Sequence, residues 1–128
     1  METELKHYTE EEFSNELAGF IGTEQWHASG YGFTYTDGVH FVVTNGGRGD
    51  ATAHWLVDVV FSYQFVPAVK RERFQVYKFT RRGDGLDLII TDGNEAVLAT
   101  QNIEYSDLRV NELTLWFVDG VLLLPSEY

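Results

Sequence analysis

The chain has no cysteine, only two prolines and a single methionine among its 128 residues. The absence of cysteine excludes disulfide bonds, cysteine-ligated zinc and thiol catalysis. Apolar runs such as Val121–Leu124 are far too short to span a bilayer. The acidic N-terminus also lacks the basic and apolar regions of a signal peptide. We therefore expect a cytoplasmic protein without membrane contact, and no motif predicts a cofactor or a metal.

Positive charge is also scarce. Nine Lys and Arg residues stand against 20 Asp and Glu residues, which gives a net charge of −11. Because phosphate backbones repel such an acidic surface, general nucleic-acid binding is disfavoured. The charge is uneven, since residues 70–82 carry a net charge of +5 and the remainder carries −16. Three interpretations are open: the basic segment pairs with acidic neighbours in a sheet, the acidic remainder docks on a basic partner, or the basic segment contacts an anionic ligand.

The first half of the chain predicts two helices and a hairpin. Thr9 and Glu12 form a capping-box pattern that opens a helix over residues 9–20. Residues 33–43 predict a hairpin, because Asp37-Gly38 suits a type I′ turn and its flanks are β-branched and aromatic. His40 would then be a polar partner on a strand. A second, largely apolar helix is expected over residues 51–64, with Asp50 or Thr52 as its cap.

The second half predicts consecutive strands joined by short turns. They are expected at residues 74–80, 86–91, 96–100, 113–118 and 121–124. We expect one domain over residues 1–128, with residues 1–8 frayed. Its predicted fold is α+β, with an antiparallel meander sheet of about five to seven strands and two main helices packed on one face. The final strand, Val121–Leu124, is a candidate edge strand for a homodimer.

A glycine-rich loop precedes the second predicted helix and is a candidate anion site. It comprises Gly46, Gly47, Arg48 and Gly49, within residues 46–50. Backbone amides of such a loop and a helix N-terminus can bind an anion, which predicts a small-molecule or nucleotide ligand. Neither the Walker pattern nor the dinucleotide fingerprint is present. The alternative is a flexible connector.

His54, Asp58 and Ser62 recur at a spacing of four on the second predicted helix and form one polar stripe. This stripe is a candidate for a minor hydrolase, but Asp58 lies between the other two and the order does not suit a triad relay. The alternative is the solvated edge of a buried helix. No catalytic residue is assigned.

Acidic residues concentrate near the N-terminus, where residues 1–24 hold seven Glu and one Lys. The candidate partner-binding residues are Glu10, Glu11, Glu12, Glu16 and Glu24. Complementary potentials steer association, so this face predicts a basic protein partner. The favoured function is therefore that of a small, acidic, non-enzymatic interaction protein.

Six stretches resemble a bacterial, plasmid and phage domain family of unknown function that ends in Leu-Leu-Leu-Pro-Ser-Glu-Tyr. They are Gly22–Trp26, Tyr35–Val39, Trp55–Asp58, Phe74–Lys78, Ile103–Asp107 and Asp119–Tyr128. The resemblance departs at His54, where it leads us to expect an aromatic residue. It implies no activity. It implies a phage or mobile-element accessory protein. Together with the acidic charge and the small size, this context favours a protein that binds and inhibits a host nucleic-acid-handling or defence complex.

Overall fold

The computed structural model describes residues 9–48 and 52–128. The prediction that residues 1–8 are frayed lies outside this described part. The helices are α1 (Glu10–Ala18), α2 (Asp37–Asn45), α3 (Trp55–Tyr63), α4 (Pro67–Lys70) and a closing 3-10 turn (Pro125–Glu127). The strands are β1 (His27–Ala28), β2 (Thr34–Tyr35), β3 (Phe74–Arg82), β4 (Gly85–Thr91), β5 (Val97–Ile103), β6 (Glu112–Val118) and β7 (Val121–Leu123).

The seven strands form one mixed sheet in the order β1-β2-β7-β6-β3-β4-β5. The α+β class is confirmed, and the seven strands equal the upper end of the predicted range of five to seven. The prediction of a purely antiparallel meander is wrong, because β2 and β7 run parallel and β6 pairs with β3 rather than with β5. Four helices accompany this sheet where the sequence predicted two main ones.

The predicted hairpin at residues 33–43 is wrong. Only Thr34–Tyr35 is a strand, and Asp37–Asn45 is a helix. Thr36 adopts an extended conformation and its side-chain oxygen accepts a hydrogen bond from the backbone N–H of Val39, which caps this helix. A threonine cap followed by an acidic first turn is a helix start. The Asp-Gly pair therefore lies in the first turn of α2, and His40 is a helical residue.

The two predicted helices exist, with shorter bounds. The capping box of α1 is confirmed, since Glu12 N–H donates to Thr9 Oγ1 at 3.1 Å and Thr9 N–H donates to Glu12 Oε1 at 3.1 Å. Helix α3 begins after His54, which makes no side-chain cap bond. Thr52 is thus not its cap, and the alternative cap Asp50 lies outside the described residues.

The final strand is not an edge, so its predicted position is wrong. β7 pairs with β6 on one side and with β2 on the other. The two outer strands of the sheet are β1, of two residues, and β5, of seven.

The core lies on the face of the sheet where residues of β3, β4 and β6 alternate inward, including Tyr77, Phe79, Leu88 and Leu115. Helix α3 lies over this face, because Trp55 contacts the Phe79 ring edge-on at a centroid distance of 6.0 Å. Among the described residues, no helix is both long and apolar enough to cross a membrane.

Candidate functional site

The N-terminus of α2 brings together three segments that are distant in sequence. They are the loop 22–26, the helix start at Thr36–Gly38 and the closing turn at Pro125–Glu127. All three belong to stretches on which the family resemblance rests. The candidate site is therefore this junction, which we call the α2 notch.

Asp37 is the polar centre of the notch. Its carboxylate accepts hydrogen bonds from His27 Nε2 at 2.9 Å and from the backbone N–H groups of Glu24 and Gln25 at 2.9 and 3.4 Å. Its own N–H donates to Thr23 Oγ1 at 2.9 Å. The His27 hydrogen bond, followed by that of Glu24, lowers the pKa of Asp37 to about 2. The carboxylate is therefore ionised at neutral pH.

Two histidines stack beside this carboxylate. The ring centroids of His27 and His40 lie 4.1 Å apart, and the two ring planes are nearly parallel, with an angle of 4° between them. Tyr35 stacks on His27 at 5.4 Å. Burial lowers the pKa of His40, and the neighbouring His27 lowers it further. Since the rings are parallel, their in-plane nitrogens do not converge on one point between them.

The closing turn fixes the other side of the helix start. Glu127 Oε1 accepts from Thr36 Oγ1 at 2.5 Å and from the N–H of Leu124 at 3.0 Å. Glu127 Oε2 accepts from the N–H of Gly38 at 3.0 Å. A carboxylate at a helix N-terminus satisfies free N–H groups and complements the helix dipole. Glu127, in the closing Pro-Ser-Glu-Tyr, thus supports the Thr36 cap at the start of α2.

An open cavity of about 410 Å³ adjoins Asp37 and is lined by residues 19–24. Two large apolar side chains stand out at this loop, Ile21 at 83% exposure and Trp26 at 61%. Glu24 is exposed between them. The notch therefore combines an ionised carboxylate, a second acidic residue and two apolar anchors, which suits a basic, partly apolar segment of a partner.

The predicted acidic residues are all exposed, but they are not equivalent. Glu12 is engaged in the capping box, and Glu10 accepts from Asn111 Nδ2 at 3.2 Å. Glu11, Glu16 and Glu24 make no described ion pair. Of the five, Glu24 lines the notch itself.

The glycine-rich loop lies at the C-terminal end of α2, not directly before α3. Gly46 N–H donates to the carbonyl of Val42, and Arg48 N–H donates to that of Asp107 at 2.9 Å. The Arg109 guanidinium donates to the carbonyls of Asn45 and Gly47 at 2.9 and 2.7 Å. Gly47 forms a bridge with Leu108, and Gly49 lies outside the described residues. The amides of Gly46 and Arg48 are thus engaged within the protein, and anion binding here stays a prediction.

The polar stripe of α3 faces solvent, as His54, Asp58 and Ser62 are all exposed. Asp58 accepts from the Tyr31 hydroxyl at 2.5 Å, and Ser62 donates to the carbonyl of Val59. This arrangement matches the solvated-edge interpretation, since none of the three side chains is bonded to another.

The basic segment is partly neutralised within the sheet. Arg73 pairs with Asp119 at 2.9 Å, and Arg82 lies 3.5 Å from Asp87. The Arg81 guanidinium donates to the carbonyls of Ser106 and Leu108. Pairing with acidic neighbours is thus the observed state of Arg73 and Arg82. Glu11, Glu16 and Glu24, in contrast, have no ion pair among the described residues.

The sequence did not lead us to predict that four residues lie together at the start of α2, namely His27, Asp37, His40 and Glu127. The available signal was Thr36-Asp37-Gly38, in which threonine caps a helix and aspartate occupies its first turn. In the described part of the chain, no group of three or more His, Asp or Glu side chains is arranged to hold a metal.

The geometry defines a small α+β domain with a mixed sheet and an acidic notch. Residues 11–128 match a family of unknown function, DUF6876. Because the match covers most of the chain, the protein belongs to that family. No curated protein and no solved structure matches it.

Proposed function

We propose that this protein is a non-enzymatic interaction protein that binds a basic segment of a partner at the α2 notch. The observation that carries the proposal is an open cavity lined by the ionised Asp37 carboxylate, Glu24 and Ile21. Trp26 is exposed at the end of the same loop. A Lys or Arg side chain entering the cavity would be attracted by the negative charges of Asp37 and Glu24, and Ile21 would contact its aliphatic stem. Trp26, exposed at the end of the loop, would add an apolar contact outside the cavity.

The acidic face of α1 extends this surface. Glu11 and Glu16 are exposed and have no described ion pair. Rim charges of this kind accelerate association more than they increase affinity, and their effect falls with salt. We propose that the partner is a basic protein of a host nucleic-acid-handling or defence complex, which a phage or mobile-element accessory protein would inhibit. Surfaces that bind phosphate backbones are basic, which supports this choice.

Nucleotide binding by residues 46–50 and hydrolysis by His54 and Asp58 are less supported. The first would require loop amides that already donate to carbonyls of Val42 and Asp107. The second would require Asp58, which is bonded to Tyr31. No structural observation supports nucleotide binding or hydrolysis as directly as the notch supports partner binding.

The test is a pull-down from a lysate of the source cells with the immobilised protein, at low and high salt. We expect a basic protein that is retained at low salt and released at high salt. Glu16→Gln with Glu24→Gln should reduce retention by on the order of tenfold. The matched control, Glu95→Gln with Glu104→Gln, removes the same charge from exposed positions outside the notch and should retain the partner.

The apolar contribution is tested separately. Trp26→Ala should weaken binding by about tenfold or more, as expected for a central aromatic anchor. Tyr105→Ala is its control, because Tyr105 is 75% exposed and lies outside the three segments that form the notch. Equal retention by all variants, or no salt-sensitive basic partner, would refute the proposed function.

A further inference from the structure

The outermost strand β5 differs from the rest of the surface because its seven residues include no charge and no proline. Its sequence is Val-Leu-Ala-Thr-Gln-Asn-Ile, in a chain of which 23% of residues are charged. Among the described strands it pairs with β4 alone, and helix α4 lies near it. The opposite edge, β1, has two residues, one of which is the His27 bound by Asp37.

An outer strand exposes a row of backbone N–H and C=O groups that can pair with another strand. Natural edges are commonly protected by charge, proline, a bulge or short length. In β5 the register irregularity opposite Ile90/Thr91 is confined to the start of the strand. The remaining residues, Ala99–Ile103, run in regular register. Val97 is 60% exposed, and Thr100, Gln101 and Asn102 are exposed as well.

We propose that β5 pairs antiparallel with β5 of a second copy of this chain, which forms a symmetric dimer with a continuous sheet. Pairing the entire strand with itself places Thr100 opposite Thr100 of the second copy, on the twofold axis. The acids nearest to the strand, Glu95 and Glu104, lie outside it, in the bends at its two ends. Two copies of a chain with a net charge of −11 repel each other, and this uncharged strand allows a self-contact that places no charged side chains of the two strands against each other.

The symmetry also limits the assembly. A twofold contact uses the same strand on both copies and closes on itself. Further growth through β1 would rely on two residues, a length too short to template a strand. Because one strand per copy contributes less than a standard interface, the dimer should be weak, with dissociation at roughly 10 µM to 1 mM. Added salt should strengthen it by screening the repulsion.

The test is sedimentation velocity from about 10 µM to 1 mM, at low and high salt, on wild type, Thr100→Lys and Thr100→Glu. Each variant places two like charges at the axis and should be monomeric. An equimolar mixture of the two should associate at least as strongly as wild type, because Lys and Glu then face each other. Asn94→Lys and Asn94→Glu, in the exposed turn before β5, should leave the wild-type behaviour unchanged.

Three outcomes would overturn the inference. The first is a wild-type protein that stays monomeric throughout, and the second is a dimer that both Thr100 variants leave intact. The third is a mixture that fails to associate while circular dichroism shows both variants folded. Association at β5 strengthens with salt, whereas partner binding at the notch weakens with salt, so failure of one proposal is distinguishable from failure of the other.

Discussion

Glu127 lies so close to Gly38 that a Cβ atom added to the glycine would come within 2.5 Å of Glu127 Oε1. The same Cβ would lie 2.7 Å from Leu124 Cδ1. The side chains of Glu127 and Leu124 therefore fill the space that a side chain at Gly38 would need. Glycine is needed here for this close approach and not for a positive φ angle. The Asp-Gly pair and the closing Pro-Ser-Glu therefore contact each other, through Gly38 and Glu127, which are 89 positions apart in the chain.

Gly38→Ala should destabilise the fold by about 1–3 kcal/mol, the usual cost of forcing a methyl group into occupied space. Urea unfolding followed by circular dichroism measures the free energy of unfolding. Gly22→Ala is the matched control, because a Cβ at Gly22 would meet nothing within 4 Å, and it should change stability by less than about 0.5 kcal/mol. Equal effects of the two variants would contradict the steric role of the cap.

Glu127→Gln should lower the free energy of unfolding by about 1–2 kcal/mol. The amide keeps one acceptor oxygen, but its NH₂ group would face a donor, either the Gly38 N–H or the pair formed by Thr36 and Leu124. Glu104→Gln, at an exposed position, controls for the lost charge. If both variants unfold at the same urea concentration, the cap contributes no stability.

Asp37→Asn should change how stability depends on pH. The folded pKa of Asp37, about 2, lies below its ordinary value of 3.8. Its stabilising effect is therefore fully present above pH 3.8 and is lost as pH falls towards about 2. The difference in urea midpoint between wild type and Asp37→Asn should shrink across that window.

The cause of this effect can be tested in a second background. The His27 hydrogen bond is the largest contribution to the lowered pKa of Asp37. In a His27→Ala chain, the difference made by Asp37→Asn should be smaller and should vary less with pH. A pH-independent difference in the wild-type background would show that the carboxylate is not held in the ionised form.

Tyr77→Phe should cost about 1–3 kcal/mol, because it removes one member of a buried hydrogen-bond network. The Tyr77 hydroxyl donates to Gln75 Oε1 at 2.6 Å and accepts from Gln64 Nε2 at 2.9 Å. Tyr63→Phe removes an exposed hydrogen bond to Gln101 and should cost less than about 1 kcal/mol. Urea unfolding compares the two, and a smaller loss for Tyr77→Phe would contradict the role of the network.

The features that could be predicted from the sequence are those that depend on residues close to each other in the chain. The capping box of Thr9 and Glu12 spans three positions, and the structure has it as predicted. The strands β3, β4 and β6 follow from alternating apolar residues. The hairpin prediction was wrong because the local sequence carries two competing signals, the Asp-Gly turn and the Thr36 helix cap. The contact of Thr36 with Glu127, 91 positions away, cannot be seen in a local pattern.

The same distinction explains the site. The exposure of the glutamates on α1 follows from helical spacing, so the sequence alone was enough to predict them as exposed residues. The cluster of His27, Asp37 and His40 depends on a loop that folds back onto a helix start, which no spacing rule encodes. The edge of the sheet was misplaced for an equivalent reason, since strand order depends on pairings such as β2 with β7.

The parallel pairing of β2 with β7 also has a consequence during synthesis. Thr34 pairs with Val121, and Thr36 bonds to Glu127, so the start of α2 lacks its contacts with the sheet and with the closing turn until residues 121–127 have been made. A ribosome-bound chain that ends before them carries α1 and α2 without the strand and cap that hold them to the sheet. Domains tend to fold as units once their sequence is available. In this protein the N-terminal third therefore cannot complete its folding until the C-terminal strand has been made. A chain terminated shortly before residue 127 should be degraded by proteases and should not form a smaller folded domain.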